Sequence, residues 1–88
     1  MAAIGIVETR GYTAAVEALD TMCKDARVSV SKIERPGGGH VALIAEGEVA
    51  AVQYAVDAGT AAAHRVGGEV ICSNVIPNPH PDLIQYIK

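Results

Sequence analysis

Three histidines and two cysteines are the side chains of this 88-residue chain best suited to metal binding or nucleophilic chemistry. A zinc centre draws its Cys, His or carboxylate ligands from short, recurrent spacings. His40 follows a run of glycines, His64 falls late in an Ala-rich stretch, and His80 stands among prolines, and none has a partner at such a spacing. Cys23 and Cys72 lie far apart and form no C-x-x-C unit. A catalytic nucleophile needs a base and a group to orient that base. Cys23 falls on an apolar helical stripe and Cys72 within a strand, so both read as buried, reduced structural thiols. Glu46-Gly47-Glu48 and Asp57 read as solvated or helix-initiating carboxylates, without an acid/base pairing. The expectation is a non-enzyme with no catalytic residue, no metal and no cofactor.

Gly37-Gly38-Gly39 is the other candidate for chemistry. A glycine loop cradles phosphate when a helix N-terminus follows it. Here β-type residues follow, so the phosphate-loop and dinucleotide-binding readings fail. Two readings stay open: a flexible hairpin tip, or a tip that meets copies of itself where only backbone fits. Arg35 beside it reads equally as a solvated charge or as part of that tip.

The elements that must position these residues are legible in outline. Ile4-Gly5-Ile6-Val7 reads as a strand. After Gly11, apolar residues at Tyr12, Ala15, Val16, Leu19, Met22, Cys23 and Ala26 make a stripe of helical period. Asp20 and Lys24 are spaced as an i, i+4 ion pair on the opposite side. A second strand runs through Val28 to Ile33. Pro36 and the glycines should end it, because proline lacks a donor and glycine sets no conformation. His40 to Glu46 makes the return strand of a hairpin. A second helix begins at Gly47-Glu48, buries Val49, Val52, Val56, Ala63 and Val66, and stops at Gly67-Gly68. Val70 to Ile76 is a fourth strand, followed by Pro77, Pro79 and Pro81 and a terminal turn over Asp82 to Ile87. The order βαββαβ predicts an α+β, ferredoxin-like domain over 1–88, a four-stranded antiparallel sheet with two helices and a short C-terminal helix.

Bulk composition narrows the partners. The formal charge is −3 and the pI about 5.4, with no basic cluster and only three aromatic residues, all Tyr. Nucleic acid is therefore not an expected partner. No apolar run approaches the ~18–20 residues of a bilayer span, and Met1-Ala2-Ala3-Ile4-Gly5 lacks a signal-peptide head. No membrane partner and a cytosolic location are expected. Half the residues are apolar, mostly Ala and Val, so each buries little area. A domain this small gains from self-association.

Several stretches in chain order resemble the hexamer-forming shell proteins of bacterial microcompartments. They are Gly5-Ile6-Val7-Glu8-Thr9-Arg10-Gly11-Tyr12, Ala15 to Lys24, Gly37-Gly38-Gly39-His40-Val41, Gly47-Glu48-Val49-Ala50-Ala51-Val52, Asp57-Ala58-Gly59 and Val75-Ile76-Pro77-Asn78-Pro79-His80. The resemblance implies a non-enzymatic building block of a compartment lying in the cytoplasm. It implies a flat homohexamer that tiles into shell facets, meets other shell proteins and encloses enzymes. A rotation that closes produces a ring, and ring-to-ring contacts then extend it in two dimensions.

By position, the resemblance makes Gly37, Gly38 and Gly39 the constriction of a central pore for small polar metabolites. Gly38 stands where relatives often carry Ser, and Arg35 where they usually carry Lys. Six copies of Arg35 would favour anions, and the imidazole of His40 adjoins that field. Lys24 matches the lysine at the hexamer–hexamer seam, with Arg27, Asn78 and His80 as further edge residues. Asn78 replaces a frequent Arg and offers fewer donors and less reach. Glu46-Gly47-Glu48 departs from a frequent Arg-Gly-Asp. The rival reading is a small ferredoxin-like regulatory domain that binds a metabolite at a subunit interface. A sensor of that kind needs a pocket of convergent polar groups, which this sequence hardly supplies.

Overall fold

Alternating β-branched residues and glycine punctuation become seven elements in the computed structural model, which describes residues 2–25 and 27–87. They are β1 Ala3–Arg10, α1 Tyr12–Cys23, β2 Val28–Gly37, β3 His40–Gly47, α2 Val49–Arg65, β4 Glu69–Ile76 and α3 Leu83–Ile87. The strands form one sheet in the order β2-β3-β1-β4, every pair antiparallel. The expected ferredoxin-like α+β arrangement is therefore present.

Strand residues alternate between faces. Val7, Leu43, Val41 and Ala45 join the core with α1 and α2, while Ile6, Glu8, Ile44 and Cys72 stand in the alternate register positions. Small residues let the backbones approach. A Cβ added to Gly5 would lie 2.6 and 2.7 Å from γ-carbons of Val52 and Val56 on α2. Met22, 0% exposed, fills the contact between the helices and is the largest α1 side chain in the core. Removing its side chain to Ala's size would cost about 2–5 kcal/mol.

The helix stripes differ in detail from the sequence expectation. α1 buries Ala14, Ala15, Ala18 and Met22, whereas Tyr12 is 61% and Val16 43% exposed. Cys23 and Cys72 are both free and exposed, which corrects their reading as buried thiols. Ala26 lies outside the described residues. α2 buries Val52, Val56 and Ala63 as expected, but Val49 and Val66 at its ends are exposed; Ala51, Ala55, Gly59 and Ala62 complete its buried face. Alanine is apolar on every side of both helices, so packing alone selects the inward face.

Pro36 and Gly37 do not end the second strand either: β2 runs through both. β2 is an edge strand, where a missing N–H need not break a ladder, and its register with β3 shifts between Glu34 and Gly37. The C-terminus of α2 follows the glycine signal. Gly67 N–H donates to His64 O and Gly68 N–H to Ala63 O, both at 3.0 Å, with Gly67 at φ 75°. That is a Schellman motif.

Register also defines two ends of the sheet. Arg10 pairs with His40 and Glu69 at one end, beside the β2–β3 turn. Ala3 pairs with Gly47, Gly47 with Val28, and Ile4 with Ile76 at the other. With eight residues in β1 the ends are roughly 25 Å apart.

Candidate functional site

The β2–β3 tip is built from backbone. Gly37, Gly38 and Gly39 have φ of 119°, 63° and 79°, all in the region that favours glycine. A Cβ on any of them would meet nothing within 4 Å, so conformation, not crowding inside the protomer, calls for glycine here. The tip is also tied down: Gly11 N–H donates to Gly39 O at 2.8 Å, linking it to the start of α1. A run expected to set no conformation is thus held in a specific one.

Charges flank the tip on the two sheet faces. Arg35 lies with its guanidinium carbon 5.1 Å from the ring centroid of Tyr12, on the α1 side. His40 occupies the opposite register face, its Nδ1 3.5 Å from Glu8 Oε2. The Cys72 thiol donates to Glu8 Oε1 at 3.7 Å. Arg10 Nε lies 3.5 Å from Glu69 Oε1 in the adjoining row. Among the described residues, no group of three His, Cys, Asp or Glu side chains is disposed to hold a metal ion.

The second set of sequence-predicted residues lies at the far end of the sheet. Lys24 caps the C-terminus of α1 and its Nζ lies 2.9 Å from Asp20 Oδ2, the i, i+4 pair expected from spacing. The pair raises the pKa of Lys24, first through the hydrogen bond and then through the Asp20 charge. Arg27 grips Asp25 with two side-chain hydrogen bonds, Nε to Oδ1 at 3.0 Å and a terminal nitrogen to Oδ2 at 2.8 Å. Its backbone N–H adds a third at 3.0 Å. Together these lower the Asp25 pKa to about 2. Lys24 and Arg27 share an open hollow of about 480 Å³ with Thr21, Tyr54 and Ala58.

Asn78 is exposed in the bend after β4, next to buried Pro79. His80 Nδ1 accepts from Asp82 N–H at 3.1 Å, and its carbonyl accepts from Leu83 N–H at 2.9 Å, which starts α3. Neither lines the Lys24–Arg27 hollow. Two neighbours of the tip lie outside the predicted site residues. Tyr12, expected in the core stripe, stands exposed beside Arg35, and the β1–β3 register counted back from the tip puts Glu8 one row from His40.

The model of the BMC domain family matches residues 3–79, a span holding the tip, Lys24, Arg27 and Asn78. This chain belongs to the BMC domain family. The carboxysome shell protein CcmK2 of Synechocystis sp. is 49% identical over 82 residues, covering 92% of this chain and 80% of that one. The bacterial microcompartment shell protein PduA of Citrobacter freundii is 52% identical over 81 residues, covering 92% and 86%. The shell protein EutM of Escherichia coli is 48% identical over 83 residues, covering 94% and 84%. In three dimensions the BMC domain here superposes with a TM-score of 0.85 on a microcompartment protein from Desulfitobacterium hafniense, at 33% identity. That match takes in 94% of this chain and 47% of the other, so this chain spans about half of its length. Among the described residues no helix is long and apolar enough to cross a membrane.

Proposed function

We propose that this chain is a shell subunit of a bacterial microcompartment, closing into a cyclic homohexamer that tiles into facets around enclosed enzymes. The observation that carries the arrangement is the separation of the two residue sets. Gly37–Gly39, Arg35 and His40 cluster at one end of a single sheet, and Lys24, Arg27 and the Asn78–His80 segment belong to the other. A ring needs one end of its wedge at the axis and the other at the perimeter. With the glycine tip at the axis, side-chain-free backbone narrows the opening, and Arg35 gives it a positive rim suited to small anionic or hydroxylated metabolites.

At the perimeter, Lys24 and Arg27 present cations beside a hollow that a neighbouring hexamer can enter. Asn78, in place of a longer Arg, makes tiling weaker or more dependent on other shell proteins. Relatives named for carboxysomes and for other microcompartments stand at nearly equal identity, so likeness does not select the enclosed pathway.

Sedimentation combined with electron microscopy tests the reading. A particle of six chains with density from Gly37–Gly39 at its inner rim is expected. Isolated protomers, or a closed ring with those glycines outside, would overturn it.

A further inference from the structure

We propose that Tyr12 is the positioning residue for the charge at the pore mouth: its ring holds Arg35 as an uncancelled cation that receives small carboxylate- or phosphate-bearing solutes. The proposal deepens the pore reading above and rests on it.

Four of the five other described lysines and arginines are held by carboxylates, Arg65 at the end of α2 being the exception. Arg10 lies against Glu69, Lys24 against Asp20, Arg27 against Asp25 and Lys32 against Glu34, each within ion-pair distance. Arg35 belongs to no ion pair among the described residues, although Glu34 is its neighbour in sequence. Strand alternation explains the separation. Glu34 and Lys32 face one side of β2, while Ile33 and Arg35 face α1. On that side the partner of Arg35 is the Tyr12 ring at 5.1 Å.

The difference has an electrostatic consequence. A carboxylate partner would orient the guanidinium but neutralise its field. An aromatic face orients it by cation–π attraction and leaves the full positive charge. A stacked guanidinium also keeps its in-plane N–H groups free, in the fork that matches carboxylate and phosphate oxygens.

Tyr12 is well placed for such a role. It is the first residue of α1, and the preceding Gly11 is hydrogen-bonded to Gly39, so the start of the helix that carries the ring is tied to the tip. Core packing does not account for it, since the side chain stands largely in solvent. Tyr12, Arg35, Gly37, Gly39 and His40 line an open hollow of about 300 Å³ beside the tip, roomy enough for a small metabolite. A solute approaching the glycine constriction from the α1 face meets Arg35 first.

The test compares wild type, Tyr12→Phe, Tyr12→Leu and Arg35→Gln in the full chain, with inorganic phosphate as the probe. NMR follows the Arg35 Nε–H resonance, which the ring current of a stacked tyrosine displaces, and its titration by phosphate. Sedimentation is run on the same samples. Tyr12→Phe should keep both the displaced resonance and the phosphate affinity. Tyr12→Leu should lose the displacement and weaken phosphate binding by about two- to fivefold, the range of an exposed cation–π contact. Arg35→Gln should abolish the binding. An undisplaced Arg35 resonance in wild type, or unchanged phosphate affinity in a six-chain Tyr12→Leu ring, would sink the role of Tyr12 and leave the shell reading standing. Wild-type chains that sediment singly would sink the shell reading and this proposal with it.

Discussion

Asp25 and Arg27 show how much a local residue pair can determine. Three hydrogen bonds from one arginine stabilise the carboxylate over its protonated form, side-chain bonds first and the backbone N–H second. The folded pKa of about 2 lies below the ordinary aspartate value of 3.8. The pair's contribution to stability is therefore complete above the unfolded value and is lost as pH falls through about 2. An NMR titration of the Asp25 carboxyl carbon should show a midpoint near 2, rising toward 3.8 in Arg27→Gln. A midpoint unmoved by that substitution would remove Arg27 as the cause. Nearby, Lys24 projects from the end of α1 and is aligned by Asp20. Lys24→Ala should leave the hexamer intact and reduce extended sheets in electron micrographs. Sheets as abundant as in wild type would exclude Lys24 from the seam.

Among the elements, the junction of α2 and β4 is the least tolerant of added atoms. A Cβ on Gly68 would sit 2.2 Å from Ala14 Cβ and 3.0 Å from the Ala63 carbonyl oxygen. The carbonyl is backbone already bound in the Schellman motif, and Ala14 is on the buried face of α1, so neither can turn aside. Gly68→Ala should destabilise the chain by about 1–3 kcal/mol, as overpacking does, read as a lower chemical-denaturation midpoint. An unchanged midpoint would mean that the two helices separate more easily than their packing implies. The start of α2 is secured differently. Glu48 accepts from the N–H groups of Ala50 and Ala51, which fits the acidic beginning expected there.

At the scale of the whole molecule, the sheet would set the distance between axis and edge in the proposed ring. Gly38 is the point to probe, because a side chain there meets nothing within the protomer. Gly38→Phe carries a backbone cost of about 1–2 kcal/mol for an L-residue at φ 63°. Its rings would converge only in a closed hexamer. Metabolite flux across assembled shells should fall sharply while the protomer stays folded by circular dichroism. Flux equal to wild type would place the constriction elsewhere. In the proposed ring, Glu8 and Cys72 on the other sheet face would give the two mouths different chemistry.

Much of the fold was legible without coordinates because it depends on local signals. Residue period distinguishes strand from helix, Gly67-Gly68 stops α2, and the βαββαβ order limits the topology. The glycine tip was legible as a hairpin turn, but its positive φ values were not. Packing and register decided the rest. Which side of an alanine-rich α1 turns inward depends on where α2 lies, so Tyr12, Val16 and Cys23 came out exposed while Ala14 and Ala18 went in. Whether Pro36 ends a strand depends on whether that strand is an edge, which only the sheet order shows. The pairing of Arg35 with Tyr12, and of His40 with Glu8, joins residues more than twenty positions apart. One-dimensional spacing carries no such distance, whereas antiparallel register and the docking of α1 on the sheet set it directly.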